Sequence, residues 1–331
     1  MLLFDWLLEG DVSIRYMVHR DLLVHAPQVQ IRLLQRRLGL EGWAARLLEH
    51  YDEKTGMWGG GWYSPKWIST HYSLRSLKDL CIPPEHPVFR KAVADLIETQ
   101  WENQPAERKN VSPDHSRPGG RKSRPLDLCV AAMMLDVQAY SGKDSPASRA
   151  IIDYILHTRY SDGGFNCNWD RGDSHSSLHS TLSVLEAFQM YQSLESGYRK
   201  EEIASAIASG EEFILKKRLF RSQTSGEVID PAMLLLSFPV RWKYDILRAL
   251  EYFARHGRPY DPRMEEALNV LVDKQRADGR WNNQGRYPGK VFFHMEEAGK
   301  PSRMNTYRVL YVLKAYRPEY YDTIFKEDYD F

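Results

Sequence analysis

The sequence predicts an all-α protein, a single but incomplete (α/α)6-type toroid spanning residues 1–331, and three observations carry that expectation. Apolar residues recur at helical spacing from end to end, with no strand–helix alternation between them. Proline stands at or before the first turn of segment after segment, where its missing N–H costs little. An Asp/Thr-Gly-x-aromatic element recurs ahead of three helices, the mark of a helical-hairpin repeat.

The first helix starts at Val12, where Ile14, Met17, Val18 and Leu22 share one side and Asp11 or Ser13 can cap the start. The second covers 27–50, with Gly39 and Gly42 placed to interrupt or kink it. The third covers 67–80, with Ser69 or Thr70 near its start. It stops at Pro83-Pro84, where continuation would lose a donor and clash. Further helices follow at 87–101, 125–140, 146–157, 174–192, 200–217, 239–256, 262–275 and 302–316.

The repeat groups them. Thr55-Gly56-Met57-Trp58 precedes the helix at 67, Asp162-Gly163-Gly164-Phe165 that at 174, and Asp278-Gly279-Arg280-Trp281 that at 302. Phe165 and Trp281 lie 116 residues apart, and Trp58 and Phe165 lie 107 apart, so each interval holds two hairpins of roughly 54–58 residues. Glycine permits the turn, and the aromatic ring two residues on can pin the loop onto the helix ends. Helices starting near 12, 67, 125, 174, 239 and 302 would line the inside of a ring, and the other five its outside. An open superhelix of hairpins satisfies the same periodicity. Two insertions distort it, at about 102–124 and 283–301. Within the first, 107–124 carries six Arg/Lys against two acids and reads as a mobile loop or a cationic lid. The second, with Tyr287, Phe292, Phe293 and Glu296, can form a cavity wall, with Glu296 a candidate acid or base.

Composition narrows the function classes. A 43% hydrophobic content supports a sizeable core and excludes global disorder. Forty-five Lys and Arg against forty-four Asp and Glu leave a net charge of +1, which argues against a dedicated nucleic-acid binder. Three cysteines cannot all pair with one another, and at this length no disulfide staple is needed. The opening MLLFDWLLEGD has no basic n-region or cleavage site, and no apolar run approaches a membrane span, so a cytoplasmic protein is expected.

QRADGRWN at 275–282 and YSDGGFN at 160–166, each leading into a helix, resemble the repeats of squalene cyclases and protein prenyltransferase β subunits. PSRMNTYRVLYVLKAY at 301–316 resembles the last inner helix of bacterial squalene-cyclase-like proteins. The resemblance covers most of the chain and implies an α/α toroid of the terpenoid cyclase/protein prenyltransferase superfamily. It implies an enzyme acting on a hydrophobic or isoprenoid-like small molecule in the central cavity. Carbohydrate-active lyases and hydrolases use a similar toroid, so that activity stands beside it, as does a non-catalytic toroid binding a ligand or a protein. The prenyltransferase β subunits enter an inner helix through an Asp-x-Cys pair that binds zinc, joined by a later His. Asp173-Ser174-His175 matches that pattern with His175 in place of Cys, and Asn305 falls at the late His. The resemblance thus implies Asp173 and His175 as zinc ligands, with Asn305 a poor third. The Asp-x-Asp-Asp cluster of class II cyclases is missing; Asp170-x-x-Asp173 stands instead.

From the residues themselves, Asp173 reads as an acid or a helix cap, and His175 and His179 share a helix face that can transfer protons, bind metal or simply be buried. Asp127 reads as an acid at a cavity rim or a cap. His71, Arg75 and Asp79 form a polar stripe at four-residue intervals, either lining a cavity or pairing on a solvent face. Arg75 and Arg308 are candidates to hold an anionic group, and Trp169, Tyr244 and Asn305 to contact the substrate. Cys129 and Cys167, 38 positions apart, are either buried thiols that approach each other or part of a Cys/His/Asp metal site.

Overall fold

A computed structural model describes residues 2–23, 25–103, 126–285 and 287–329. The 107–124 insertion lies outside them. Among the described residues the helices are α1 (Leu3–Leu8), α2 (Val12–Met17), α3 (Gln28–Arg37), α4 (Gly42–Leu48), α5 (Thr70–Asp79), α6 (Pro87–Ile97) and α7 (Leu128–Tyr140). They continue as α8 (Pro146–His157), α9 (Leu178–Gln192), α10 (Lys200–Lys216), α11 (Ile246–Arg255), α12 (Glu265–Asp273), α13 (Arg303–Tyr316) and α14 (Pro318–Tyr329). One two-residue hairpin, β1 (Tyr51–Asp52) with β2 (Met57–Trp58), is antiparallel with Tyr51 opposite Trp58. The all-α expectation therefore holds. No described helix is long and apolar enough to cross a membrane.

The chain divides into two units. The first comprises Met1–His50, Asp79–Pro83 and Lys217–Phe331, the second Tyr51–Lys78 and Pro84–Lys216. In the second, α9 packs along α7, with α6 and α8 also against α7 and α10 against α9. Helix α7 is buried on nearly every face, so its apolar residues run continuously and its Asp136 takes an ammonium partner, Lys78 at 2.6 Å. In the first unit, α13 packs against α11, α14, α2 and α1.

Several boundaries differ from expectation for local reasons. The segment 27–50 forms two helices, because Gly42 sits at φ +71° where a Cβ would meet Asp11 Oδ2 at 2.3 Å. That close approach lets Asp11 cap α2 through Ser13 N at 2.9 Å while also receiving Trp43 N at 2.7 Å. The helix expected at 174 begins at Leu178, and the one expected at 239 begins at Ile246 behind an Asp245 cap. Helices α1 and α14 were not expected.

The three repeat elements make one shared contact. Gly56, Gly163 and Gly279 all have positive φ, and Trp58, Phe165 and Trp281 are fully buried. Each ring's own backbone N–H donates to a threonine hydroxyl at the start of the next helix: Trp58 to Thr70 at 3.1 Å, Phe165 to Thr181 at 3.0 Å, Trp281 to Thr306 at 3.0 Å. The separations are 12, 16 and 25 residues, so the clasp is conserved within the chain while the loop between its ends varies. The element is a structural clamp.

Candidate functional site

A buried arrangement of ionisable groups lies in the first unit, on α11 and α13. Asp245 heads α11, where one carboxylate oxygen, Oδ1, accepts from Arg248 N at 2.8 Å. Its second oxygen, Oδ2, is buried without a hydrogen-bond partner among the described residues, and the residue is 1% exposed. Burial raises the Asp245 carboxyl above the ordinary range, against the pull of the Arg308 and Arg248 guanidiniums. Six residues further on, Glu251 accepts from Arg308 Nε at 2.6 Å and from Arg255 Nη2 at 2.7 Å. Burial works against its charge too, but the two guanidiniums outweigh it and hold Glu251 below the ordinary range.

The network continues outward. Arg255 also donates to the Tyr307 hydroxyl at 2.9 Å, Tyr307 donates to Asp21, and Arg20 grips Asp21 at 2.6 Å. The loop beside it supplies aromatic surface. Ser237, hydrogen-bonded to Tyr287, precedes Phe238, whose ring lies 6.1 Å from that of Trp43. Tyr287 lies near Asp245, and Lys243 stands 5.2 Å over its ring. Two carboxyls on one helix are thus pushed apart in proton affinity, with cationic heads and aromatic faces nearby. Such a pair can offer a proton from one member while the other stays charged.

Four of the residues singled out from sequence belong to this unit. Arg308 is 4% exposed and reaches Asn305 Oδ1 at 3.4 Å, besides gripping Glu251. Asn305 is fully buried and its amide donates to Leu236 O at 3.1 Å and Asn282 O at 3.2 Å, which ties two loops to α13. Tyr244 donates to Leu219 O at 2.5 Å from a buried position. Glu296 receives Met304 N at 3.1 Å and the Ser302 hydroxyl, so it closes the start of α13.

The others lie in the second unit. His71 is buried and neutral; desolvation, then Arg75, push it down to about 3. Its Nε2 has no partner among the described residues, and its ring meets Tyr63 and Tyr72 edge-on at 5.4 and 5.0 Å. Arg75 is 7% exposed on the same helix. Trp169 donates to the Tyr154 hydroxyl at 3.2 Å. Asp127 occupies the N-cap position of α7 without a capping side-chain bond and instead pairs with Arg171 at 3.6 Å.

Asp173 and His175 are exposed in the loop before α9, so His175 and His179 do not share a helix face. Asn166 holds this loop, donating to Asp173 Oδ2 at 3.3 Å and His175 O at 2.7 Å. Two exposed donors do not fit a zinc ion, which needs about four ligands. Among the described residues no group of three or more His, Cys, Asp or Glu is gathered. A depression of about 670 Å³ lined by Asp153, His157, Arg159, Arg199 and Glu202 lies elsewhere in this unit. Its Arg199 is already gripped by Asp153 at 2.6 Å and Glu202 at 2.5 Å, an ion-paired surface rather than a reaction site.

Asp245 was missed from sequence although its signal was present: an Asp immediately before the periodic run ILRAL is an N-cap signature. Placing the helix start at Pro239 put Asp245 inside the helix and hid it. Comparison with protein-family models, curated proteins and solved structures gives no significant match.

Proposed function

We propose that the chain is a small-molecule enzyme whose reaction begins with a proton delivered by Asp245, on a hydrophobic, isoprenoid-like substrate carrying an anionic head. The observation that carries this is the second Asp245 oxygen, buried and without a hydrogen-bond partner among the described residues, on a carboxyl that burial favours in its protonated form. A carboxyl kept protonated by its surroundings holds a proton to give to an alkene carbon or an epoxide oxygen, and the carboxylate left behind is met by the charge of Arg308 and Arg248. Arg308 and Arg248 supply positive charge for the head, and Glu251, kept ionised, balances the cations. Trp43, Phe238 and Tyr287 offer ring faces to an apolar chain or a developing carbocation. The architectural part of the proposal is the incomplete (α/α)6 ring that the hairpin repeat predicts.

The test is turnover of polyprenyl diphosphates and of squalene by the purified full chain, with products read by mass spectrometry. Asp245→Asn should lower kcat by about 10²–10⁴-fold, the usual worth of a general acid, with substrate affinity retained. Wild-type turnover unchanged in Asp245→Asn would overturn the assignment. Cleavage of an acidic polysaccharide in place of prenyl turnover would favour the carbohydrate reading, for which the oppositely tuned Asp245 and Glu251 also speak.

A further inference from the structure

The second unit carries a pair of thiols that the proposed reaction does not use. Cys167 lies two residues beyond the clamp ring Phe165, and Cys129 lies in the first turn of α7. The Cys167 sulfur accepts from Cys129 N at 3.1 Å and from the Ser180 hydroxyl at 3.2 Å. Cys167 N donates to Ser180 Oγ at 3.0 Å, fixing the position of the segment that carries the sulfur. Two donors converging on the sulfur at the start of a thirteen-residue helix favour a thiolate. The interaction with Cys129, opposed by burial and helped by Ser180, holds Cys167 below the ordinary thiol range, while Cys129 is raised well above it.

The repeat does not require sulfur here. The positions equivalent to Cys167 in the other two clamps, two residues past Trp58 and Trp281, are Gly60 and Asn283. Asn283 uses its side chain to bond Phe238, and Gly60 has none to use. Both cysteine residues are partly exposed, and the hydroxyls of Tyr63 and Tyr72, 3.3 Å apart, belong to the same neighbourhood.

We propose that Cys167 and Cys129 form a redox-active dithiol that a small hydroperoxide converts to an intramolecular disulfide. The Cys167 thiolate attacks the peroxide, the O–O bond breaks, and Cys167 becomes a sulfenic acid as the leaving oxygen takes up a proton. The Cys129 sulfur then attacks Cys167, the S–O bond breaks, and the departing hydroxide leaves as water with the Cys129 proton. Two thiols lose two electrons, and hydrogen peroxide is reduced to two waters. With the Cys167 sulfur 3.1 Å from the Cys129 backbone nitrogen, the two thiol side chains are neighbours.

The full chain, reduced and then exposed to hydrogen peroxide, is alkylated and weighed intact. The expected product is two hydrogens lighter, with Cys81 as the one remaining alkylatable thiol and Cys129 and Cys167 in one cross-linked peptide. Cys129→Ser should stop at a dimedone-reactive sulfenic acid on Cys167, and Ser180→Ala should slow the reaction of the native chain. Retention of three free thiols, a cross-link through Cys81 or to a second chain, or oxidation of Cys129 at the wild-type rate in Cys167→Ser would each overturn the proposal.

Discussion

Asp245 and Glu251 stand on one helix within reach of the same Arg308, yet their carboxyls are driven in opposite directions. The difference is hydrogen bonding: Glu251 receives two guanidiniums directly, whereas Asp245 has one backbone donor and an oxygen with no partner among the described residues. The stability consequences have opposite signs. Asp245 binds protons more tightly folded than unfolded, so its contribution falls as pH rises from its ordinary value of 3.8 through the raised one. Glu251 binds them less tightly folded, so its contribution is present above 4.5 and is lost as pH falls through the lowered value. The stability difference between wild type and Asp245→Asn should therefore shrink or reverse as pH rises through this window. Glu251→Gln should cost about 3–5 kcal/mol near neutrality, because the buried Arg308 loses its carboxylate partner, and less on acidification; the exposed Arg255 adds little. Urea denaturation of the three proteins between pH 3 and 7 measures both slopes; parallel slopes for the two variants would contradict the assignment.

Elements explain why the sequence revealed the clamp better than the helix starts. A turn glycine and a ring two residues on are local chemistry, and all three copies behave alike. The partner threonine is non-local, displaced by a loop of changing length, so sequence spacing does not expose it. The start of α9 slipped for a related reason. Asp173, Ser174 and His175 are as compatible with a helical first turn as with a loop, and it is Asn166, from the preceding segment, that holds them as a loop. Removing a clamp hydroxyl isolates its contribution. Thr181→Val keeps the shape but leaves the buried Phe165 N–H without an acceptor, and about 1–3 kcal/mol should be lost. Thr70→Val and Thr306→Val should behave similarly, while Thr→Ser at each position should retain most of the stability. Equal denaturation midpoints for the Val and Ser variants would mean that the hydroxyls do not hold the loops.

At the scale of the molecule, the helical class and most helix positions were legible because proline and glycine punctuate the chain. The functional centre was less so, because its chemistry comes from burial. Asp245 differs from any other capping aspartate only in what surrounds its second oxygen, and no spacing reports that. Of the residues chosen from sequence, Asn305 and Arg308 join the network of the first unit, whereas Asp173 and His175 lie exposed in the second. Each unit has its own buried ionic anchor, Glu251–Arg308 in the first and Lys78–Asp136 in the second. Cooperative unfolding follows such local anchoring. Amide exchange should therefore quicken in α11 and α13 when Glu251 becomes Gln, and in α7 and α9 when Asp136 becomes Ala, with the helices of the other unit keeping their protection. Uniform acceleration across all four helices in either variant would instead make the chain a single cooperative unit, in which a substitution at the Asp245 centre and one at the thiol pair report on the same opening.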